Sequence, residues 1–142
     1  MKNYLNKVRE SNQTVNPLFR YLGVIVEQVS PEHTVLRLPL RHEFNQGAGV
    51  VAGGILATIA DEAMAHAVLA NLDEGQSTAT IEINMRYLRP VKEGEITAVA
   101  RIVKKGRSVI TVAAEIRDEK NSLIAVAGAS FIVVKMKQML LQ

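Results

Sequence analysis

Residues Phe44–Ala70 read FNQGAGVVAGGILATIADEAMAHAVLA. The stretch starts as a polar, glycine-dense loop and turns at Gly53-Gly54 into a long apolar segment that reads as helix to about Leu72. Ile55, Leu56, Ile59, Ala60, Ala63, Met64, Ala67 and Val68 surround the helix axis almost completely, which predicts burial on most sides, and the many alanines permit close approach of a neighbouring backbone. Into this apolar surface the chain inserts Asp61 and Glu62. A buried carboxylate must find hydrogen bonds, a counter-charge or a proton. Successive helical residues are turned about 100° from one another, so at most one of the two can face a given site. Glu62 and His66 stand four apart and can touch; with no third ligand nearby they read as a helix-face ion pair or hydrogen bond rather than a metal site.

Outward from this helix, the patterns are short. Upstream, Lys2–Asn12 reads as a short amphipathic helix with Leu5 and Val8 on one face. Asn16-Pro17 is a second helix start, because Asn caps well and Pro suits the first helical position; Leu18, Phe19 and Leu22 form its apolar face and Gly23 its stop. Val24–Ser30 and Thr34–Leu40 change to strand-like alternation around a Pro31-Glu32-His33 turn, making a hairpin whose second strand ends, or lies at an edge, near Pro39. Arg41–Ala52 is loop.

Downstream, Asn71–Gln76 is a turn. Thr78–Leu88 alternates, with Ile81, Ile83 and Met85 assigned to one face and Glu82, Asn84 and Arg86 to the other. Glu95–Val103, Arg107–Arg117 and Leu123–Lys135 follow as strands, separated by short turns at Lys104-Lys105-Gly106 and Asp118–Asn121, which predicts an antiparallel meander. The tail Met136–Gln142 is apolar but short and receives no assignment. The reading is α+β: a long central helix wrapped by one strongly twisted antiparallel sheet of five to six strands, in a single domain over 1–142 with an N-terminal helical segment over 1–22.

Composition narrows the chemistry. At 142 residues the chain is long enough to bury a core. It has no cysteine, which excludes disulfides, thiolate metal sites and cysteine nucleophiles. A net charge of +3 with scattered basic residues and 4% aromatics offers no base-stacking platform, so nucleic-acid binding is not expected. No apolar run reaches the length of a membrane span, since Asp61 and Glu62 interrupt the longest. The first residues, MKNYLNKVRE, lack the apolar core of a signal peptide, so a cytoplasmic location is expected.

Four features could carry a reaction. Asp61 is either a structural helix carboxylate or a functional one. Gly53-Gly54 stands where free N–H groups and the positive end of the helix dipole converge, an arrangement that can stabilise an oxyanion; a tight turn is the plainer explanation. Asn45 and Gln46 place amides in the preceding loop. Lys104-Lys105-Gly106-Arg107 is a solvated hairpin tip or a phosphate clamp. The sequence contains no nucleophile elbow, P-loop, dinucleotide fingerprint or zinc spacing, and His33 and His42 lack an obvious serine partner.

Taken together, Gln46–Asp61, the strand ending Asn84-Met85-Arg86-Tyr87-Leu88-Arg89-Pro90, Gly94-Glu95 and Lys105-Gly106-Arg107-Ser108 resemble the hotdog-fold thioesterases of the phenylacetate-pathway (PaaI-like) type, over roughly Leu22–Lys135. Members carry Asn, five residues, His-Gly-Gly, then Asp seven residues beyond the second glycine. Here the glycines are Gly53 and Gly54 and the Asp is Asp61; Gln46 takes the Asn position, Thr80 a Ser/Thr position, and Ala52 stands where the family keeps His. The resemblance implies a homodimer with sheets joined edge to edge, often paired again into a tetramer, hydrolysing an acyl-CoA thioester without metal or organic cofactor, coenzyme A being part of the substrate. It implies Asp61 as general base or nucleophile, facing Gln46 and Gly53 of the other chain, with Thr80 assisting. Asn45 and Gly54 join them, and Arg89, Lys105, Gly106 and Arg107 would meet the nucleotide phosphates. The loss of His at Ala52 keeps a second expectation open, a non-catalytic acyl-CoA or acyl-carrier-protein binding module. A hotdog dehydratase would need a different His/Asp arrangement, which the sequence lacks. The scarcity of aromatics points to an aliphatic acyl group.

Overall fold

The structure, a computed structural model, describes residues 1–136; most of the tail left unassigned above, 137–142, lies outside the described residues. Short helices α1 (Lys2–Lys7) and α2 (Pro17–Leu22) precede the hairpin β1 (Ile25–Val29) and β2 (Thr34–Pro39). A 3-10 turn, His42–Phe44, interrupts the loop to α3 (Gly53–Leu69), after which β3 (Gln76–Tyr87), β4 (Glu95–Lys105), β5 (Val109–Asp118) and β6 (Leu123–Lys135) follow. The six strands form one antiparallel sheet in the order β1-β2-β4-β5-β6-β3, and α3 packs against β2 to β6.

This α+β architecture is the hotdog fold expected from the sequence, with two differences. Only β4-β5-β6 is a continuous meander. Strand β3 lies beyond β6 at the sheet edge and never pairs β4, so the connection Leu88–Gly94 carries the chain from one side of the sheet toward the other. Short loops told of antiparallel strands but not of which strands are neighbours, because that choice is made by non-local pairing. Pro39 ends β2 rather than marking an edge, since β2 is paired on both sides.

The second difference lies within β3. A β-bulge stands between Thr80 and Glu82, so Thr80 faces Phe131 and Glu82 faces Ser130, with Ile81 the extra residue. Ile81 is 54% exposed and does not share the inner face with Ile83 and Met85, which pack against the core. The cause is the bulge itself: one inserted residue reverses the side to which every later side chain points.

The core is α3 set against the inner face of the sheet. Leu56, Ile59, Ala60, Ala63, Met64, Ala67 and Val68 are buried, and they meet Leu36, Leu38, Ile96, Ile110, Ile116, Ile124 and Phe131 in one apolar cluster. Helix α2 follows the expected chemistry: Asn16 Oδ1 accepts from the Phe19 N–H at 3.0 Å, and Gly23 closes the helix at φ +81°. Leu18 is exposed, so Phe19 and Leu22 alone supply the buried face. Helix α1 ends at Lys7, earlier than the sequence pattern implied, with Val8 buried at its end.

A polar relay ties this N-terminal segment to α3. His66 is 2% exposed. Its Nδ1 lies 2.7 Å from the Glu62 carbonyl, which can only accept, so Nδ1 carries the proton and Nε2 accepts from the Tyr4 hydroxyl at 2.9 Å. Asn16 Nδ2 in turn donates to the Tyr4 oxygen at 2.9 Å. Removing only the hydroxyl with Tyr4→Phe leaves a buried imidazole acceptor without a donor, and denaturant unfolding should show a loss of about 1–3 kcal/mol; a loss no larger than that of an exposed Tyr21→Phe control would show that the relay contributes nothing.

Candidate functional site

Helix α3 begins with Gly53 and Gly54 behind Ala52, an N-cap residue whose side chain makes no capping bond. The first amide groups of a helix have no partner inside it, and the Gly53 and Gly54 N–H groups find no acceptor among the described residues. A Cβ on Gly54 would meet nothing within 4 Å, so the surface there is open. Gly53 differs: a Cβ would stand 3.1 Å from the Tyr87 ring, whose hydroxyl donates to the Gly53 carbonyl at 2.9 Å.

The preceding loop is folded back on itself. An Asn45–Val51 bridge closes it, and the Gln46 N–H donates to the Val50 carbonyl at 2.8 Å. Gln46 Oε1 accepts from the Ala48 N–H, and the side chain stays exposed. Asn45 Oδ1 is buried and takes no hydrogen bond from the described residues. Gln46, Val51, Gly53, Leu56, Tyr87 and Arg89 line a cleft of about 400 Å³ in front of the helix end.

Asp61 lies eight residues along α3 from Gly53, about 12 Å by helical rise. Its Oδ1 accepts from the Thr80 hydroxyl at 2.9 Å. Glu62 goes elsewhere, as the turn of the helix requires: its carboxylate stands 3.7 Å from His66 Nδ1, on the side of the N-terminal relay. The two adjacent carboxylates therefore belong to different environments, one held by the sheet and one covered by the N-terminal segment.

The sequence-derived candidates fall into three groups. Asn45, Gln46, Gly53, Gly54 and Arg89 surround the start of α3. Asp61 and Thr80 meet at its middle. The β4–β5 tip lies at the far end: Lys105 Nζ donates to the Asn71 carbonyl, two residues past α3, at 2.6 Å. Gly106 is tight against Val109, with whose carbonyl oxygen a Cβ would collide, so its glycine serves the turn; Arg107 is exposed. Within one chain these groups do not converge. Sequence reasoning passed over Tyr87, although it lies inside the Asn84–Pro90 stretch and on the face of Ile83 and Met85; nothing in a strand pattern tells which helix atom a side chain will touch.

Comparison with known proteins decides the family. The model of the thioesterase superfamily matches residues 48–125, more than half the chain. The chain belongs to the thioesterase superfamily. A Halobacterium salinarum protein described as "Putative esterase" is 34% identical over 129 residues, covering 83% of this chain and 85% of the relative. A crystal structure of a thioesterase from Haemophilus influenzae superposes with a TM-score of 0.81 at 28% identity, covering 85% of each chain. A phenylacetic acid degradation-related protein from Ralstonia eutropha gives 0.83 at 27% identity, over 92% of this chain and 99% of that one. The PaaI-like resemblance seen in the sequence thus holds at the level of family and fold. Among the described residues no helix is long and apolar enough to cross a membrane.

The electrostatics of this thioesterase-family helix are uneven. Burial, reinforced by the neighbouring Asp61 charge, pushes the Glu62 carboxyl up from 4.5 to about 7. Burial also lowers the His66 pKa, against the opposing effect of its bond to the Glu62 carbonyl. The two act on stability with opposite sign. Between its unfolded and folded pKa values Glu62 keeps a proton only in the folded state, so its contribution to stability falls as pH rises through that window; His66 keeps its extra proton in the unfolded state, so its contribution rises toward 6.5. Glu62→Gln removes the first effect and leaves the second. Its gain in melting temperature over wild type should therefore grow from about pH 5 to about pH 8; a constant difference across that range would place the Glu62 pKa near its ordinary value.

Proposed function

We propose that the protein is an acyl-CoA thioesterase acting as a homodimer, with each site shared between two copies of the chain. The observation that carries this reading is the pair of contacts made by β3: Thr80 holds Asp61 and Tyr87 holds Gly53, on the same face of one edge strand. In a single chain the carboxylate and the free helix amides are too far apart to act on one carbonyl. Among the described residues strand β3 has an unpaired edge, and such an edge is a template for pairing with another chain. Antiparallel pairing of two β3 strands about a two-fold axis at Asn84, with the bulged Ile81 passed over as it is against β6, sets Thr80 opposite the partner's Tyr87, and with it Asp61 opposite the partner's Gly53. The symmetry makes two equivalent sites.

In each site the thioester carbonyl would accept from the Gly53 N–H, with the positive end of α3 and the Gly54 N–H close by, so that negative charge developing on oxygen is met by fixed donors. Asp61, oriented by Thr80, serves as general base toward water or as nucleophile toward the carbonyl. Gln46 orients the water or the carbonyl, and Asn45 supplies a second amide in the same loop. Arg89, which lines the cleft, would meet the phosphates of coenzyme A, with Lys105 and Arg107 reaching them from the partner's hairpin tip, where Gly106 shapes the turn. The reading invokes no metal or organic cofactor, and a small or medium aliphatic acyl group is the substrate we assign. A further pairing of dimers into a tetramer fits the family resemblance.

The loop keeps its bridge and amides without the family's histidine at Ala52, so a catalytic site is favoured over a binding module. Asp61→Asn should leave the dimer intact and lower turnover about a hundredfold or more; unchanged turnover across a panel of acyl-CoA chain lengths would refute the Asp61 assignment, and binding without turnover by wild type would favour the module. The shared site has its own test. Inactive Asp61→Asn and Gln46→Ala chains, unfolded and refolded together, should regain about a quarter of wild-type sites, since half the dimers are mixed and each mixed dimer restores one intact site. No recovery from a verified mixed dimer would place the whole site in one chain.

A further inference from the structure

The first turn of α3 is the least constrained part of the proposed site. Two glycines in succession have the largest backbone freedom to lose on folding, and Ala52 offers no side-chain cap to hold them. Donors aimed at an oxyanion contribute most when their direction is fixed before the charge develops. The helix's own bonds and the Thr58 hydroxyl, which donates to the Gly54 carbonyl at 2.9 Å, restrain the turn from within, and a contact from outside the helix can fix it further.

Tyr87 makes two contacts that do so. Its ring closes on the Cα of Gly53, where a Cβ would fit tightly, 3.1 Å from Cζ and 3.2 Å from the hydroxyl oxygen, so that the ring would have to give way slightly. The same hydroxyl donates to the Gly53 carbonyl at 2.9 Å. That carbonyl and the Gly54 N–H belong to one planar peptide unit, so holding one sets the direction of the other. Fixing the Cα and carbonyl of Gly53 also sets the frame from which its own N–H projects. A hydrogen bond at the carbonyl further polarises the peptide and strengthens the N–H on its opposite side.

The β-bulge is what makes this contact compatible with the other. Thr80 and Tyr87 are seven residues apart and would face opposite sides of a regular strand. The extra residue Ile81 brings both to the helix side. We propose that Tyr87 is a positioning residue that fixes the Gly53-Gly54 amides as the oxyanion site. The inference rests on the thioesterase reading above, since the amides matter only if a carbonyl oxygen binds them.

Tyr87→Phe tests it, because the ring remains and only the hydroxyl is lost. The expected result on an accepted acyl-CoA is a fall in kcat of about tenfold, smaller than loss of a whole oxyanion donor, with KM within twofold and with melting temperature and dimer unchanged. Tyr87→Leu, which removes ring and hydroxyl, should fall further in kcat. Wild-type kcat in a Tyr87→Phe dimer overturns the inference, as does a change confined to KM, which would make Tyr87 a substrate contact, or a loss of activity that tracks loss of the dimer. Asp61→Asn in the same assay separates the two layers: turnover that disappears there but survives intact in Tyr87→Phe removes the positioning role alone. A wild-type protein that turns over no acyl-CoA removes both.

Discussion

A helix can be buried deeply only if its residues are small enough for the sheet to close around it. Helix α3 meets that condition on its sheet-facing side, with Ala60, Ala63 and Ala67 set among Leu56, Ile59 and Met64, all buried, while Thr58, Asp61, Glu62 and Ala65 are half-buried. The consequence for polar groups is strict. Unpaired backbone amides can survive only at the helix end, and each side-chain charge must have its own partner or proton. The chain answers this with an open first turn at Gly53-Gly54, with Asp61 bonded to Thr80, and with Glu62 turned toward His66. The same constraint that builds the core thus keeps these polar groups apart.

Strand β3 connects those groups. It is an edge strand among the described residues, its side chains hydrogen-bond α3 at two places, and its bulge sets both bonds on one face. Bulges redirect side chains where a regular strand would point them away. Here one inserted residue lets a single strand bond both the carboxylate and the start of the helix, while its outer edge pairs with no strand among the described residues. The N-terminal segment is engaged elsewhere: Tyr4 and Asn16 close over His66, holding α1 and α2 against the side of α3 where Glu62 lies.

Much of this was legible in the sequence. The helix from Gly53, the Asn16-Pro17 start with its Gly23 stop, the hairpin and the later strands all follow from caps, periods and turns, because those signals are local. Asp61 was conspicuous for the same reason: a charge in an apolar helix is visible without coordinates. Position Ala52 was equally plain, although its consequence was not; only the structure shows an uncapped helix end resting against Tyr87.

What the sequence by itself determined was the set of elements, the burial of α3 and the thioesterase family, since each depends on residue type and spacing along the chain. Strict alternation, however, placed Ile81 inside and would separate Thr80 from Tyr87, and short loops suggested a meander in which β3 would adjoin β4. Tertiary structure decided both otherwise. A bulge is chosen by how two strands register with each other, and strand order by which edges find partners; both are properties of residues distant in sequence, and no local pattern encodes them. Those two choices bring Thr80 to Asp61 and Tyr87 to Gly53.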